Sequence, residues 1–532
     1  MASPGKTRPA GAALAASVAV ALAFAIPLLY LLVANLTGDS SGLPGLGEIA
    51  GPLLRSAGLA FAVAGGATLV GTSAAWLTTR TDLPLAGVWR VVLPLPLAIP
   101  SYIAVLTAVA AFSTGGLLEG PLKAIGVAGS IQIRGFWAAF LLLSLITYPY
   151  VYLPVAARIR RLPPSVEEVA RTLGHRGGRM FMSVVAPQIR SAAAAGALLS
   201  FLYTVGDFGA VQLLRYDTLT ARIYATRLFD RPESLALSLL LACLALAVVA
   251  GERRLSKISI PALGRQAVAS AKWRLGRMKP AALGFVTLLT FFAVVTPVVV
   301  LGFWAVRGIT SGTVRAGAIV ANAGALSGPA ARSALAATVA AVAAVAVTAP
   351  VAYLTSRFAG KITSAISAVI IAGFAIPGLA VALALAHWTV RAPGIFRGLY
   401  QSFALLIFAY VVHFGAQALR GSQVAFGTIT NQMREAATVL GAPATRRMLS
   451  VELPLAAPGM LAAAGLVFMS TVKELPATLL LAPAGFQTLA TRIWSATEDA
   501  FLADASLAAL TLVALSGFLT WLLVIRPEAK SL

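Results

Sequence analysis

Charged residues are scarce in this 532-residue chain: they make up 11% of it, whereas an ordinary soluble domain has about 25%. Hydrophobic residues account for 59%, and the mean hydropathy is +0.88. A chain with so little charge and so much apolar surface cannot fold as an ordinary water-soluble globule. The composition therefore predicts an integral membrane protein.

Cysteine and histidine are also rare. Cys243 is the single cysteine, which excludes an intrachain disulfide and a cysteine metal cluster. His175, His387 and His413 stand far apart, whereas metal ligands recur at short, regular spacings. No stretch matches the Gly-x4-Gly-Lys-Ser/Thr phosphate loop, and no arrangement of nucleophile and base or of paired carboxylates is found. We therefore expect no catalytic site, no metal site, no bound cofactor and no ATP hydrolysis by this chain itself.

The formal net charge is nevertheless +23. A basic excess can indicate a nucleic-acid surface, but that function needs a basic face in water. The densest basic run lies at 252–280, where Pro261 and Gly264 interrupt regular structure. Such a run is typical of a cytoplasmic loop, so the charge predicts topology, and nucleic acid is not an expected partner. An RNA- or lipid-binding arm is the alternative interpretation, and contact with anionic lipid headgroups is compatible with a cytoplasmic loop.

Twelve segments are apolar over about 20 or more residues, which is the length a helix needs to cross a bilayer. Long apolar runs must be helical there, since no water is present to bind exposed backbone groups. We expect an all-α, multi-pass membrane protein with both termini in the cytoplasm. The segments lie near 11–36, 56–78, 88–112, 136–157, 187–206, 234–251, 281–304, 333–355, 363–388, 401–419, 455–473 and 503–525.

The chain contains an internal duplication. Arg55-Ser56 and Ala98-Ile99-Pro100 recur at a shared offset in the second half as Arg332-Ser333 and Ala375-Ile376-Pro377. Six spans return the chain to its starting side, so the two repeats are parallel. The sequence predicts a first six-helix half, a basic cytoplasmic linker and a second six-helix half, at 1–251, 252–280 and 281–532 respectively.

A polar segment occurs twice, and the two copies align at one constant offset without a gap. The later copy reads Glu435-Ala436-Ala437-Thr438-Val439-Leu440-Gly441, followed by Val451-Glu452-Leu453-Pro454, and the earlier one has Glu168-Val169-Ala170, Gly174, Val184 and Pro187. Each copy carries arginines between two apolar runs, so it must lie in water. Small residues before a glycine favour a short helix whose end another protein can approach closely. An ordinary cytoplasmic loop is the alternative, which two register-matched copies disfavour.

This repeat resembles the signature loop of permease subunits of binding-protein-dependent ABC importers. The later copy matches in full, whereas the earlier one has Val169 for the first alanine and Ala186 for the leucine before the proline. The resemblance implies a type I ABC importer permease fold in a bacterial inner membrane, two copies of an ABC ATPase that use ATP, and a periplasmic or lipid-anchored binding protein. It assigns ATPase coupling to Glu168, Ala170, Gly174, Pro187, Glu435, Ala436, Ala437, Gly441 and Pro454.

Pro100 and Pro377 lie in the middle of the third span of each half, where proline removes a backbone hydrogen bond and forces a kink. Ser101 and Tyr102 follow the first proline with hydroxyl groups that could face a pathway. A packing kink and a pathway-lining role are both consistent with the pattern. The stretch 93–102 also resembles ferric iron permeases within the importer family.

Three charged residues stand near the end of a span, where burying a charge is costly unless it is paired. Asp207 and Glu474 correspond at the same offset as the two signature copies, and Lys473 adjoins Glu474. They are either structural anchors or gate residues that face each other between the halves and contact the arriving substrate.

The leading hypothesis is a transport subunit of an ATP-driven importer for ferric iron. Thiamine and phosphonate importers share the fused layout and stay open as alternatives. A secondary transporter driven by an ion gradient would need charges deep in the membrane, where this chain has almost none. A structural scaffold would leave the repeated loop unexplained.

Overall fold

The computed structural model describes residues 11–37, 45–125, 131–162, 172, 181–256, 272–310, 316–358 and 360–525. Across these ranges the chain is helical, and the β-type pairing consists of an isolated bridge between Thr81 and Trp273. The prediction of an all-α protein is confirmed.

Ten helices in the described ranges are long and apolar enough to cross a membrane, and the total is twelve if each of two bent helix pairs is one span. They follow the order of the twelve predicted segments, and we number them spans 1 to 12. Their helices are Gly11–Thr37, Leu46–Arg80, Ala86–Val92 with Ser101–Phe112, Gly135–Arg160, Ala186–Gly206, Arg231–Ser256, Lys279–Thr290 with Thr296–Thr310, Ala316–Arg357, Lys361–Ala375 with Gly378–Arg391, Phe403–Gly427, Leu453–Val472 and Leu502–Thr520.

Shorter helices connect the spans. They lie at Glu119–Ala124, Gly209–Leu213, Leu219–Thr226, Gly394–Arg397, Asn431–Val439, Ala444–Arg447, Pro476–Leu481 and Leu489–Glu498.

The chain divides into two compact units that interleave in sequence. The first-half unit contains spans 2 to 5 together with spans 7 and 12, and the second-half unit contains spans 8 to 11 together with span 1. The predicted halves, 1–251 and 281–532, were defined from the sequence duplication and not from packing. Their boundaries stay a prediction. The first-half unit comprises Pro44–Ala225, Cys243–Val320 and Ile493–Leu532, and the second-half unit comprises Met1–Leu43, Thr226–Ala242 and Ala321–Arg492.

Each unit has its own core of packed helices. In the first-half unit, span 2 packs on spans 4 and 5, and span 7 packs on span 12. In the second-half unit, span 1 packs on both helices of span 9, and span 10 packs on span 11. Alanine is frequent in the core of the second-half unit. Small side chains allow close helix approach, which matters in lipid because the surrounding acyl chains are as apolar as the helices.

The sequence repeat is matched by repeated hydrogen bonds. In the first-half unit, the Ser56 hydroxyl accepts a hydrogen bond from the Leu219 N–H at 2.8 Å. In the second-half unit, Ser333 accepts one from the Leu489 N–H, also at 2.8 Å. Both serines lie on the second span of their half and fix the start of a helix that follows the fifth span. The duplicated serines therefore make the same hydrogen bond in each unit.

An arginine ends the second span of each half and donates hydrogen bonds to backbone carbonyls at the end of the fourth span. Arg80 is buried and donates hydrogen bonds to two carbonyls at the end of span 4, at 2.8 and 2.9 Å. Arg357 makes the equivalent pair at the end of span 10, both at 3.1 Å. Carbonyls in a last helical turn have no partner within their own helix, so these bonds remove unsatisfied acceptors. The acceptors are Ile159, Leu162, Phe426 and Ile429.

The chain segment before span 7 is attached to the end of span 2. Asp82 accepts a hydrogen bond from the Leu275 N–H at 2.8 Å, and its other carboxylate oxygen lies 2.9 Å from the Lys279 Nζ. The Leu275 N–H, followed by the Lys279 ammonium, lowers the pKa of the Asp82 carboxyl below its ordinary value. This contact holds the described end of the predicted linker, residues 272–279, on the first-half unit.

We expect Asp82→Asn to loosen this attachment. The variant keeps an acceptor for Leu275 but loses the charge that faces Lys279, so the Leu275 amide should exchange hydrogen faster at neutral pH. The increase should be below about tenfold, because the ion pair is exposed to solvent. In the wild type, the Asp82 contribution is complete above the ordinary carboxyl pKa of 3.8 and is lost as the pH falls through the lowered value.

Hydrogen exchange followed by mass spectrometry measures this effect. Asp217→Asn removes a separate exposed pair with Arg55, at 2.6 Å, and should leave the Leu275 amide unchanged. Equal protection of Leu275 in the wild type and in Asp82→Asn would contradict the attachment.

Candidate functional site

The second signature segment contains a short helix, Asn431–Val439, as predicted. Thr430 precedes it and accepts a hydrogen bond from the Met433 N–H at 3.4 Å. Gly441 follows it in the left-handed conformation, with φ of 78°, and its N–H bonds the Thr438 carbonyl at 3.0 Å. A Cβ at Gly441 would meet no atom within 4 Å. Glycine is therefore required here for its backbone conformation and not for space.

This helix exposes two of its signature residues and several apolar side chains, whereas Ala437 is half-buried. It contains no buried residue, and both Glu435 and Ala436 are exposed. Met433 is 47% exposed, and Val439 and Leu440 are each 86% exposed. Large exposed apolar side chains on a short polar helix are typical of a protein docking surface. We call this helix with its glycine turn, residues 430–441, the second docking segment.

Glu452 is completely buried immediately before span 11 and lies among three arginines. Its Oε1 is 3.3 Å from the Arg434 Nε and 3.0 Å from the Arg447 Nε, and its Oε2 is 3.6 Å from an Arg357 nitrogen. A buried carboxylate is tolerated when charge and hydrogen bonds compensate its loss of hydration. We call these four residues the Glu452 cluster.

Sequence reasoning missed Glu452, although it lies inside the quoted signature. A signal was present: an acidic residue stands within an apolar stretch, close to Arg446 and Arg447, in a chain with few acidic residues. At the corresponding position of the earlier copy the chain has Val185. Glu452 is therefore recognised because the two copies differ at this position, and not because they agree.

The two signature prolines occupy the same structural position. Pro187 and Pro454 lie in the first turn of spans 5 and 11, each after a single π-helical turn at Phe181–Val185 or Met448–Glu452. Each proline, which has no N–H to donate, thus lies within one continuous helical segment, Phe181–Gly206 or Ala444–Val472, just after its π-helical turn. The other predicted coupling residues of the earlier copy, Glu168, Ala170 and Gly174, lie outside the described residues.

Pro100 and Pro377 stand where spans 3 and 9 are interrupted. Each immediately precedes the second helix of its pair, and the paired helices are bent by 93° and 102°. The predicted kink is therefore a complete break. The reason is that proline has no N–H to donate and restricts the preceding residue, Ile99 or Ile376, to extended backbone.

In the first-half unit, this break contacts the segment that follows span 5. Asp207 is 7% exposed, and its Oδ1 accepts a hydrogen bond from the Ala210 N–H at 2.8 Å. Ser101, which begins the second helix of the break, is buried as well, with 5% of its surface exposed. A Cβ on Gly209 would lie 2.8 Å from the Tyr102 Cβ, so the two backbones approach closely. The structure thus brings Ser101, Tyr102 and Asp207 together.

The second-half unit has the equivalent arrangement. Glu474 is 8% exposed and accepts hydrogen bonds from the N–H groups of Ala477 at 2.8 Å and Thr478 at 3.1 Å. A Cβ on Gly378, the residue after the break, would lie 3.2 Å from the Glu474 Oε1. Lys473 ends span 11 and is half-buried. Both carboxylates therefore hold the start of the short helix that follows them.

His413 lies next to this second arrangement and packs there, which is one of the two roles that the sequence indicated. It comes from span 10, and a Cβ on Gly378 would lie 3.4 Å from its Nε2. The ring also stacks near Phe374, with centroids 6.2 Å apart. At the corresponding position of the first half the chain has Ile146. We call Ser101, Tyr102 and Asp207 the first break cluster, and Gly378, His413 and Glu474 the second. Each contains a carboxylate, but the first has no histidine.

Broken helices and carboxylate-capped turns within membrane spans restrict where this backbone can lie. Irregular backbone at membrane depth is tolerated where it is buried in protein or lines a water-filled cavity. Both break clusters meet the first condition, since their carboxylates, Asp207 and Glu474, are buried. Whether Asp207 and Glu474 face each other stays a prediction.

Sequence comparisons agree with these features. A family model described as a binding-protein-dependent transport system inner membrane component matches residues 67–257 and 343–526. The chain is 27% identical over 463 residues to an Fe(3+)-transport system permease protein of Haemophilus influenzae, covering 86% of each protein.

Two further relatives match over shorter ranges. A molybdenum transport system permease protein of Mycobacterium tuberculosis is 29% identical over 189 residues, covering 34% of this chain and 70% of the relative. A sulfate transport system permease protein of Escherichia coli is 33% identical over 137 residues, covering 26% of this chain and 48% of the relative. Since the family model matches more than half of the chain and includes both signature segments, this chain belongs to the family of inner-membrane components of binding-protein-dependent transport systems.

Proposed function

We propose that this chain forms the translocation pathway of an ATP-driven importer for ferric iron. The observation that supports ferric iron as the substrate is the match to the Fe(3+)-transport permease, which extends over 86% of both chains. The molybdenum and sulfate relatives cover 34% and 26% of this chain. The support for thiamine or phosphonate is the fused layout alone, so ferric iron is the favoured substrate.

The proposed mechanism needs a partner that hydrolyses ATP. The second docking segment supports this, since Val439 and Leu440 are 86% exposed next to exposed Glu435. Burying such side chains against a partner protein removes apolar surface from water and favours binding. The duplicated signature supports one ATPase copy for each segment, hence two copies. We place both segments, both termini and residues 252–280 in the cytoplasm, as the basic run at 252–280 favours. A substrate-binding protein then delivers iron from the opposite side.

We predict that Gly441→Val weakens ATPase binding. A side chain in the left-handed region costs about 1–2 kcal/mol, and more for a β-branched residue, so the helix end and the exposed Leu440 should shift. Gly427→Val is the matched control: a Cβ there also meets no atom within 4 Å, and the backbone is not left-handed. Copurification of the ATPase with the full-length permease measures binding, and transport of ferric iron measures its consequence.

Two results would count against this assignment. Normal ATPase copurification and transport in Gly441→Val would show that the segment does not dock. Equal losses in Gly441→Val and Gly427→Val would show a general effect of the added side chains.

We further propose that the pathway passes the two break clusters, whose carboxylates position short helices. Asp207 caps the helix that follows it, and asparagine caps helices as well as aspartate does, whereas alanine costs about 0.5–2 kcal/mol. Asp207→Asn should therefore retain most iron transport, and Asp207→Ala should lose most of it. This pair of results would support the anchor interpretation of Asp207 and would exclude a gate that needs its charge.

Transport by reconstituted importer, together with the amount of folded permease, separates the two interpretations. Glu474→Gln and Glu474→Ala provide the corresponding pair in the second-half unit. Loss of transport in Asp207→Asn at unchanged permease level would contradict the anchor role and support the charged gate.

A further inference from the structure

The two signature segments differ at the residues that surround Glu452. When the two copies are aligned without a gap, Glu452 corresponds to Val185, and Arg434 and Arg447 correspond to Glu167 and Met180. Val185 is itself completely buried. At the matched positions the first copy therefore has neither the carboxylate of Glu452 nor the guanidinium groups of Arg434 and Arg447 that meet it in the second copy.

The Glu452 cluster joins the second docking segment to three spans. Arg434 lies on the docking helix, and Arg447, on the short helix after it, also donates to the docking-helix residue Thr438 at 3.0 Å. Glu452 itself directly precedes span 11. Arg357 ends span 8 and is bonded to the last carbonyls of span 10 at 3.1 Å. One carboxylate thus connects the docking helix with the ends of spans 8, 10 and 11.

The comparison with Arg80 separates what is shared from what is added. Arg80 and Arg357 make the same two bonds to the fourth span of their half. That bond pair is part of the duplicated fold and does not depend on an acidic residue at position 452. The contacts of Glu452 with Arg434 and Arg447 are additional, and they reach only the docking segment and the short helix after it. Their removal should therefore act on docking more than on the packing of the spans.

We propose that Glu452 is a positioning residue that holds the second docking segment for the ATPase, so that the two docking segments are not equivalent. This inference rests on the proposed coupling function. Without the Glu452 charge, three guanidinium groups lie close together without a counter-charge, and the partly exposed Arg434 and Arg447 side chains can turn to water. The docking helix then loses its charged contacts with Glu452, whereas the first segment has the uncharged Val185 at the matched position.

Matched cross-linking positions test the two segments in the same complex. Val439 is exposed in the second copy, and Thr172, exposed as well, is its counterpart in the first copy. The photoreactive residue p-benzoyl-phenylalanine is placed at 439 or at 172 in full-length permease that is co-expressed with its ATPase. Light-induced permease–ATPase adducts are then quantified with Glu452, with Glu452→Gln and with Glu452→Asp.

The proposal predicts that Glu452→Gln lowers the adduct from position 439 by at least about tenfold, because one partner of a buried charge cluster is removed, and leaves the adduct from position 172 unchanged. Glu452→Asp keeps the charge on a shorter side chain and should restore the adduct in part. Val185→Thr, a change of similar size at the matched position, should alter neither adduct. If Glu452→Gln does not accumulate in the membrane, Glu452→Asp provides the comparison by lowering only the adduct from position 439.

Three outcomes would overturn the inference. Unchanged adducts at both positions in Glu452→Gln would show that the cluster does not position the segment. Equal losses at both positions would show a general structural role. If neither position gives an adduct in the permease that keeps Glu452, ATPase docking itself is contradicted, and the inference fails with it.

Discussion

Inside a lipid bilayer every backbone N–H and C=O must find a partner within the protein, and this requirement explains most of the described structure. Long helices meet it along their length but not at their ends or at breaks. Arg80 and Arg357 supply donors to the carbonyls that end spans 4 and 10. Asp207 and Glu474 supply acceptors to the N–H groups that begin short helices. The few charged residues near the spans are thus used where helices stop.

Because each of these pairs is repeated in the two halves, duplication accounts for the shared structure. Departures from the repeat are correspondingly informative. Glu452 and His413 each stand opposite a purely apolar residue in the first half, Val185 and Ile146. One lies beside the second docking segment and the other beside the break in span 9. A protein with two similar halves in one chain can change one copy without changing the other, which two identical subunits cannot do.

Composition and apolar segment length were sufficient to predict the helical class and the order of the twelve spans, because the bilayer leaves few alternatives. The short helix before Gly441 followed from the spacing of small residues and glycine. The break at Pro100 was underestimated as a kink, since the sequence does not show whether neighbouring helices can support a 93° turn. The Glu452 cluster depends on residues from three separate parts of the chain, and such convergence exists only once the helices are packed.

We propose that ATP hydrolysis by a partner drives ferric iron through this chain. The most direct measurement is radioactive ferric iron uptake into proteoliposomes that contain the permease, its ATPase and its binding protein, with ATP inside or with an imposed ion gradient alone. We expect uptake that requires internal ATP, the ATPase and the binding protein together. Uptake driven by the gradient in liposomes that contain the permease alone would contradict it.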